Sequence, residues 1–126
     1  IGSGFKNCDM VNYVSQKLKE AGWKHTYNWA DNILGNETLE DLIEFSNLEI
    51  QGINDADIVI ILLPGGRGTH IELGMSLALN KKIYLYSNDD NAFKDAKETV
   101  NFYQLPSIVK LTGNIDECIE KIKERA

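Results

Sequence analysis

The stretch Pro64-Gly65-Gly66-Arg67-Gly68-Thr69-His70-Ile71-Glu72 sets three glycines and a carboxylate between an apolar run and a helix-forming segment. Free backbone N–H groups at a helix start attract anions, so such a loop is a natural anion seat. A phosphate-binding P-loop needs a lysine and then a serine or threonine after its last glycine, whereas Thr69 and His70 follow Gly68. The turn Gly2-Ser3-Gly4-Phe5-Lys6-Asn7 likewise lacks the third glycine of a dinucleotide fingerprint. ATPase and dehydrogenase chemistry are thereby set aside. Glu72 suggests other work, because a carboxylate beside a sugar-sized hollow can attack, or stabilise charge on, an oxocarbenium-like carbon.

Two readings of Glu72 follow from spacing alone. With Thr69 as the helix N-cap, Glu72 is the third helical residue and closes a Thr-x-x-Glu capping box. Alternatively it faces a ligand. The loop has more glycine than a strand-to-helix turn requires, which implies close approach of a ligand to the backbone. A first-turn carboxylate would also be kept ionised by the helix dipole, by about 0.3–1 kcal/mol.

The flanking segments must position that loop. Val11, Val14, Leu18 and Ala21 recur at helical spacing before Gly22, which predicts a helix with a glycine stop. Residues 23–29, Trp-Lys-His-Thr-Tyr-Asn-Trp, read as a short strand. After a polar loop over 30–37, Thr38 and Asp41 form a capping-box pattern. Leu39, Leu42, Ile43, Ile50 and Ile53 then continue a long helix. The near-continuous apolar run 57–64 is a strand buried on both faces. A helix over about 69–79, a strand over 82–87, a loop with one short helix, a strand over 107–111 and an amphipathic helix marked by Ile115, Ile119 and Ile122 complete the chain. Alternating strands and helices predict an α/β domain: a flavodoxin-like, Rossmann-like, doubly wound parallel sheet of five strands with helices on both faces. Ile1 reads as the last residue of its first strand, with preceding residues expected upstream. Both glycine turns, 2–4 and 65–68, should then face one crevice at the strands' carboxyl ends.

The chain of 126 residues is one domain with a net charge of −6, which argues against nucleic-acid polymers and anionic membranes as partners. No apolar stretch reaches the roughly 18 residues of a membrane span. Cys8 and Cys118 form no paired motif, and reduced thiols in a cytoplasm are the simpler reading. His25 and His70 lack ligand-spaced partners, so neither a metal nor another cofactor is expected. His70 and Glu72 point apart on a helix and do not pair. Trp23 and Trp29 read as core or interface.

The stretch Ala56-Asp57-Ile58-Val59-Ile60-Ile61-Leu62-Leu63-Pro64-Gly65-Gly66-Arg67-Gly68-Thr69-His70-Ile71-Glu72-Leu73-Gly74, running on to the Lys-Lys-Ile-Tyr-Leu-Tyr strand at 81–86, resembles the core of the nucleoside 2-deoxyribosyltransferase superfamily. The Glu-Leu-Gly context carries most of that likeness, and the opening Gly2-Ser3-Gly4-Phe5 is similar to the family's first turn. The resemblance implies cleavage or transfer of the N-glycosidic bond of a nucleoside or nucleoside monophosphate. Glu72 would be the nucleophile at C1′. Gly2, Ser3, Gly4, Gly65, Gly66, Arg67, Gly68 and Thr69 would line the sugar and any 5′-phosphate. Glu49 stands where the family places an acid that holds base or sugar; as residue alone it is equally a solvated helix position. Phe5 could wall the base or fill the core.

There are two departures. The family's first-strand tyrosine would fall before Ile1, and its base-side aspartate corresponds to Gly66, so no residue is assigned to protonate the departing base. Pro-Gly-Gly-x-Gly-Thr-x-x-Glu also resembles the cytokinin-activating phosphoribohydrolases, in which Arg67 would act with Glu72. A nucleotide-sensing module without turnover is the remaining alternative. The resemblance further implies a homo-oligomer, with residues 101–103 as a candidate contact.

Overall fold

Four parallel strands form one sheet in the order β1-β2-β3-β4: β1 is Gly2–Ser3, β2 Ile58–Leu62, β3 Lys82–Ser87 and β4 Ile108–Thr112. These come from a computed structural model that describes residues 1–32 and 35–125. Two residues of the polar loop expected over 30–37, positions 33 and 34, lie outside the described residues. The α/β class and the parallel sheet are as expected, but there are four strands rather than five. Residues 23–29 are not a strand.

Side-chain hydrogen bonds replace a ladder there. Thr26 Oγ1 donates to the Gly52 carbonyl at 2.7 Å, and the Trp29 indole Nε1 donates to the Ile1 carbonyl at 2.8 Å. The segment is pinned to α2 and to the chain start by its own side chains, which leaves β1 as an edge strand. β1 is short. Gly2 pairs with Ile61 and Ser3 with Leu62.

Period-two alternation sorts the core into two layers. Ile60, Leu62, Tyr84, Tyr86 and Leu111 pack against Val11, Val14 and Leu18 of α1 (Cys8–Glu20) and Cys118, Ile119 and Ile122 of α5 (Ile115–Arg125). Val59, Ile61, Ile83, Leu85 and Ile108 pack on the other face with Leu73 of α3 (Arg67–Ala78) and with Tyr103. Helix α1 stops where predicted, at Gly22 with φ 91. α2 (Leu39–Asp55) opens on the expected box: Asp41 N–H donates to Thr38 Oγ1 at 3.1 Å, and Thr38 N–H to Asp41 Oδ2 at 2.9 Å. Between β3 and β4 lie α4 (Asn91–Lys94) and a 3-10 turn, Asn101–Gln104. No helix among the described residues is long and apolar enough to cross a membrane. Cys8 and Cys118 are both free thiols.

Candidate functional site

Helix α3 begins at Arg67, two residues before the expected start, with Gly66 as N-cap and no side-chain cap. Thr69 is therefore not the cap. It sits inside the first turn with 5% of its surface exposed. A Cβ on Gly65 would stand 2.7 Å from Thr69 Cβ, so the missing side chain at 65 is what lets the helix start early. Gly66 and Gly68 are different, since a Cβ at either would meet nothing within 4 Å. Gly65→Ala is expected to destabilise the fold by about 1–3 kcal/mol through overpacking against a branch point. Gly66→Ala, where a weaker N-cap offsets a less flexible unfolded chain, should stay within about 1 kcal/mol. Urea unfolding of the two variants distinguishes the positions, and equal losses would contradict it.

The early start carries Glu72 into the second turn, as the sixth residue of α3. The Thr69–Glu72 capping box does not form, and the carboxylate has no hydrogen-bond partner among the described residues. It lies instead against the chain start, where a Cβ on Gly2 would come within 2.5 Å of Glu72 Oε2 and 2.8 Å of Ile61 Cδ1. Glycine at position 2 is what leaves room for the carboxylate.

Glu72, Glu49 and Gly2 line one cleft of about 620 Å³, roofed by residues 23–29 and closed by the ends of α1 and α2. The dipole argument fails here, because its influence falls off within the first turn. Burial first, and then the charge of nearby Glu49, push the Glu72 carboxyl up to about 7. Burial also raises Glu49 above the usual carboxylate range. The site thus holds two carboxyl groups, both desolvated, and Glu72 changes charge near neutrality.

The glycine turns touch one another but do not share this cleft. Gly4 N–H donates to the Pro64 carbonyl at 3.0 Å, and a Cβ on Gly4 would meet that oxygen at 2.7 Å. Ser3 Oγ is spent on the Leu62 carbonyl at 2.6 Å. Of the first turn only Gly2 reaches the cleft, while Gly65, Gly66, Arg67, Gly68 and Thr69 lie outside its lining. Phe5 is 65% exposed and away from it. Arg67 is exposed at the head of α3 and makes no salt bridge among the described residues.

His70 is structural. Its Nδ1 lies 2.7 Å from the Gly66 carbonyl and must donate there; its Nε2 is then free to accept from the Tyr103 hydroxyl at 2.6 Å. The rings stack with centroids 5.9 Å apart. This ties the glycine loop to the 101–104 turn, so Tyr103 faces inward while Phe102 is 53% exposed.

Trp23, His25, Tyr27 and Trp29 line the cleft roof, which the sequence reading missed. Their aromatic and β-branched content suggested a strand; the segment instead lies along the cleft, where Lys24 and Thr26 join the rings in lining it. Ser15 Oγ lies 2.7 Å from His25 Nδ1, and burial lowers His25 to about 4, so the ring is neutral near pH 7. Among the described residues no three His, Cys, Asp or Glu side chains are grouped to hold a metal ion.

No curated protein and no solved structure matches the chain. A family model does. It is that of nucleoside 2-deoxyribosyltransferase, and it matches residues 4–121, nearly the whole sequence and both helices that carry the paired carboxyl groups. The chain belongs to the nucleoside 2-deoxyribosyltransferase family.

Proposed function

We propose that the protein cleaves the N-glycosidic bond of a nucleoside or nucleoside 5′-monophosphate, with Glu72 as nucleophile. The observation that carries this is a partly buried carboxylate, with no hydrogen-bond partner among the described residues, facing a cleft beside a second carboxyl. Ionised Glu72 attacks C1′ as the bond to the base nitrogen breaks, and the base leaves with the bonding pair and takes up a proton. A glycosyl-enzyme ester remains. A second base, or water, then attacks C1′ and regenerates the carboxylate, giving transfer or hydrolysis. Glu49 is the neighbouring acid that holds base or sugar, and the aromatic roof supplies the surface on which a base can lie.

The direct test incubates the protein with deoxynucleosides and nucleoside monophosphates, with and without a second free base, and follows base release and exchange by chromatography. Release from at least one substrate is expected. Silence across the whole panel, together with unimpaired ligand binding by Glu72→Gln, would favour a sensing module.

A monophosphate substrate is favoured by one feature: Arg67 stands exposed at the head of α3 between two glycines with open space at their Cβ positions. Backbone N–H groups and a guanidinium there suit a phosphate. Gly66→Ala, benign for folding, should then raise KM severalfold for a nucleoside monophosphate and leave KM for the free nucleoside unchanged. Equal KM changes for both substrates would remove the phosphate from this loop.

A further inference from the structure

His70 lies outside the cleft lining, and what it holds is the backbone of the glycine loop. The Gly66 carbonyl accepts twice from this one residue: from the His70 main-chain N–H at 3.2 Å and from ring Nδ1 at 2.7 Å. The main-chain bond is at the long limit for N–H···O and the ring bond at the short one, so the side chain is the firmer hold. Gly66 needs such a hold. It is exposed, with φ −91 and ψ −160, and it has no side chain to restrict which way its peptide with Arg67 turns. A trans peptide carries its C=O and N–H on opposite sides. With the Gly66 carbonyl drawn into the first turn of α3, the Arg67 N–H points outward. Neither that N–H nor the one of Gly68 has a hydrogen-bond partner among the described residues. Turned over, the same peptide would present a carbonyl oxygen instead, which repels an anion.

Tyr103 decides whether the ring can serve as donor. A neutral imidazole carries one proton, and which nitrogen holds it is set by the bond that the other makes. The Tyr103 hydroxyl, 2.6 Å from Nε2, donates there and keeps the proton on Nδ1, where the Gly66 carbonyl requires it. Tyr103 is itself fixed. It is 4% exposed, stacks on His70 and meets Phe93 edge-on with ring centroids 6.2 Å apart. Without the hydroxyl the proton is free to move to Nε2, which sets the Nδ1 lone pair against the carbonyl oxygen.

We propose that His70 and Tyr103 are positioning residues for the phosphate of a nucleoside monophosphate: the tyrosine sets the imidazole tautomer, and the imidazole locks the Gly66–Arg67 peptide with its N–H facing the ligand. The inference rests on the monophosphate reading of the Arg67 loop. A loop with three glycines is costly to order, and a lock that orders it in advance removes that cost from binding.

The test follows inorganic phosphate binding by NMR, which needs no turnover. Wild type should show saturable shifts at the Arg67 and Gly68 amides. Its His70 ring nitrogens should report the proton on Nδ1, and His25 is the one other histidine to be told apart from it. Tyr103→Phe and His70→Gln should each weaken phosphate binding about three- to tenfold, the worth of about one hydrogen bond. In Tyr103→Phe, which keeps the packed ring, the His70 proton should move to Nε2. His70→Asn should bind like wild type, because the asparagine amide nitrogen can stand in for Nδ1 while the glutamine nitrogen reaches toward Nε2. Equal phosphate affinity in wild type, Tyr103→Phe and His70→Gln would overturn the lock and leave the phosphate on the loop. A wild-type ring protonated on Nε2, or His70→Asn binding as weakly as His70→Gln, would also overturn it. A wild type whose amides ignore phosphate would remove the phosphate from this loop and the lock with it, while base release from free nucleosides would be untouched.

Discussion

Glu72→Gln is expected to lower base release by about 10³-fold or more, because an amide cannot form the glycosyl ester and nothing else in the cleft replaces it. The same change should stabilise the fold at alkaline pH. Folded Glu72 holds its proton up to about 7, whereas the unfolded chain releases it near 4.5. The proton-bound group therefore contributes stability that is complete below about 4.5 and is lost progressively as pH rises to about 7. By pH 8 the ionised side chain costs about 3 kcal/mol, and glutamine removes that penalty. Chemical denaturation at pH 8 should show the variant more stable than wild type, with the two converging below pH 5. A variant that is both active and no more stable at pH 8 would remove Glu72 from the reaction and from its desolvated setting. The combination of lost turnover and gained stability distinguishes a strained functional group from a structural one.

The pH dependence of kcat/KM should follow the same carboxyl. As the attacking form is the ionised one, kcat/KM is expected to rise about tenfold per pH unit on the acid side and level off above about 7. Glu49→Gln removes the neighbouring like charge, so the inflection should move to lower pH. It should stay above the ordinary carboxylate range, because burial is the larger cause and the substitution leaves burial in place. An inflection that does not move in Glu49→Gln would mean that the two carboxyl groups do not share the site. A profile flat between pH 5 and 8 would mean that Glu72 does not limit the reaction.

Which features were legible in the chain follows from what local chemistry can enforce. Thr38 and Asp41 cap α2 through bonds three residues apart, and Gly22 ends α1 by adopting a backbone that side chains resist. The apolar run at 57–64 could only be a strand covered on both faces, and Glu72 stood out because a carboxylate after a glycine loop has no phosphate-binding use. Other features depended on partners far along the chain. Whether residues 23–29 join a sheet was decided by Gly52 and Ile1, whose carbonyls are taken by Thr26 and Trp29 side chains. Where α3 begins was decided by Thr69 packing into the space at Gly65, a fit that spacing rules do not contain.

The sequence by itself determined the strands and helices from α2 onward, the cap of α2, the stop of α1 and the presence of a carboxylate in the helix after the glycine loop, because these rest on contacts within a few residues. Only the tertiary structure decided what that carboxylate is. It brought Glu49 and Glu72 from separate helices into one hollow, set Gly2 beneath them and withdrew water. The proton affinity of an acid answers to the charges and solvent around it, and those are set by the fold.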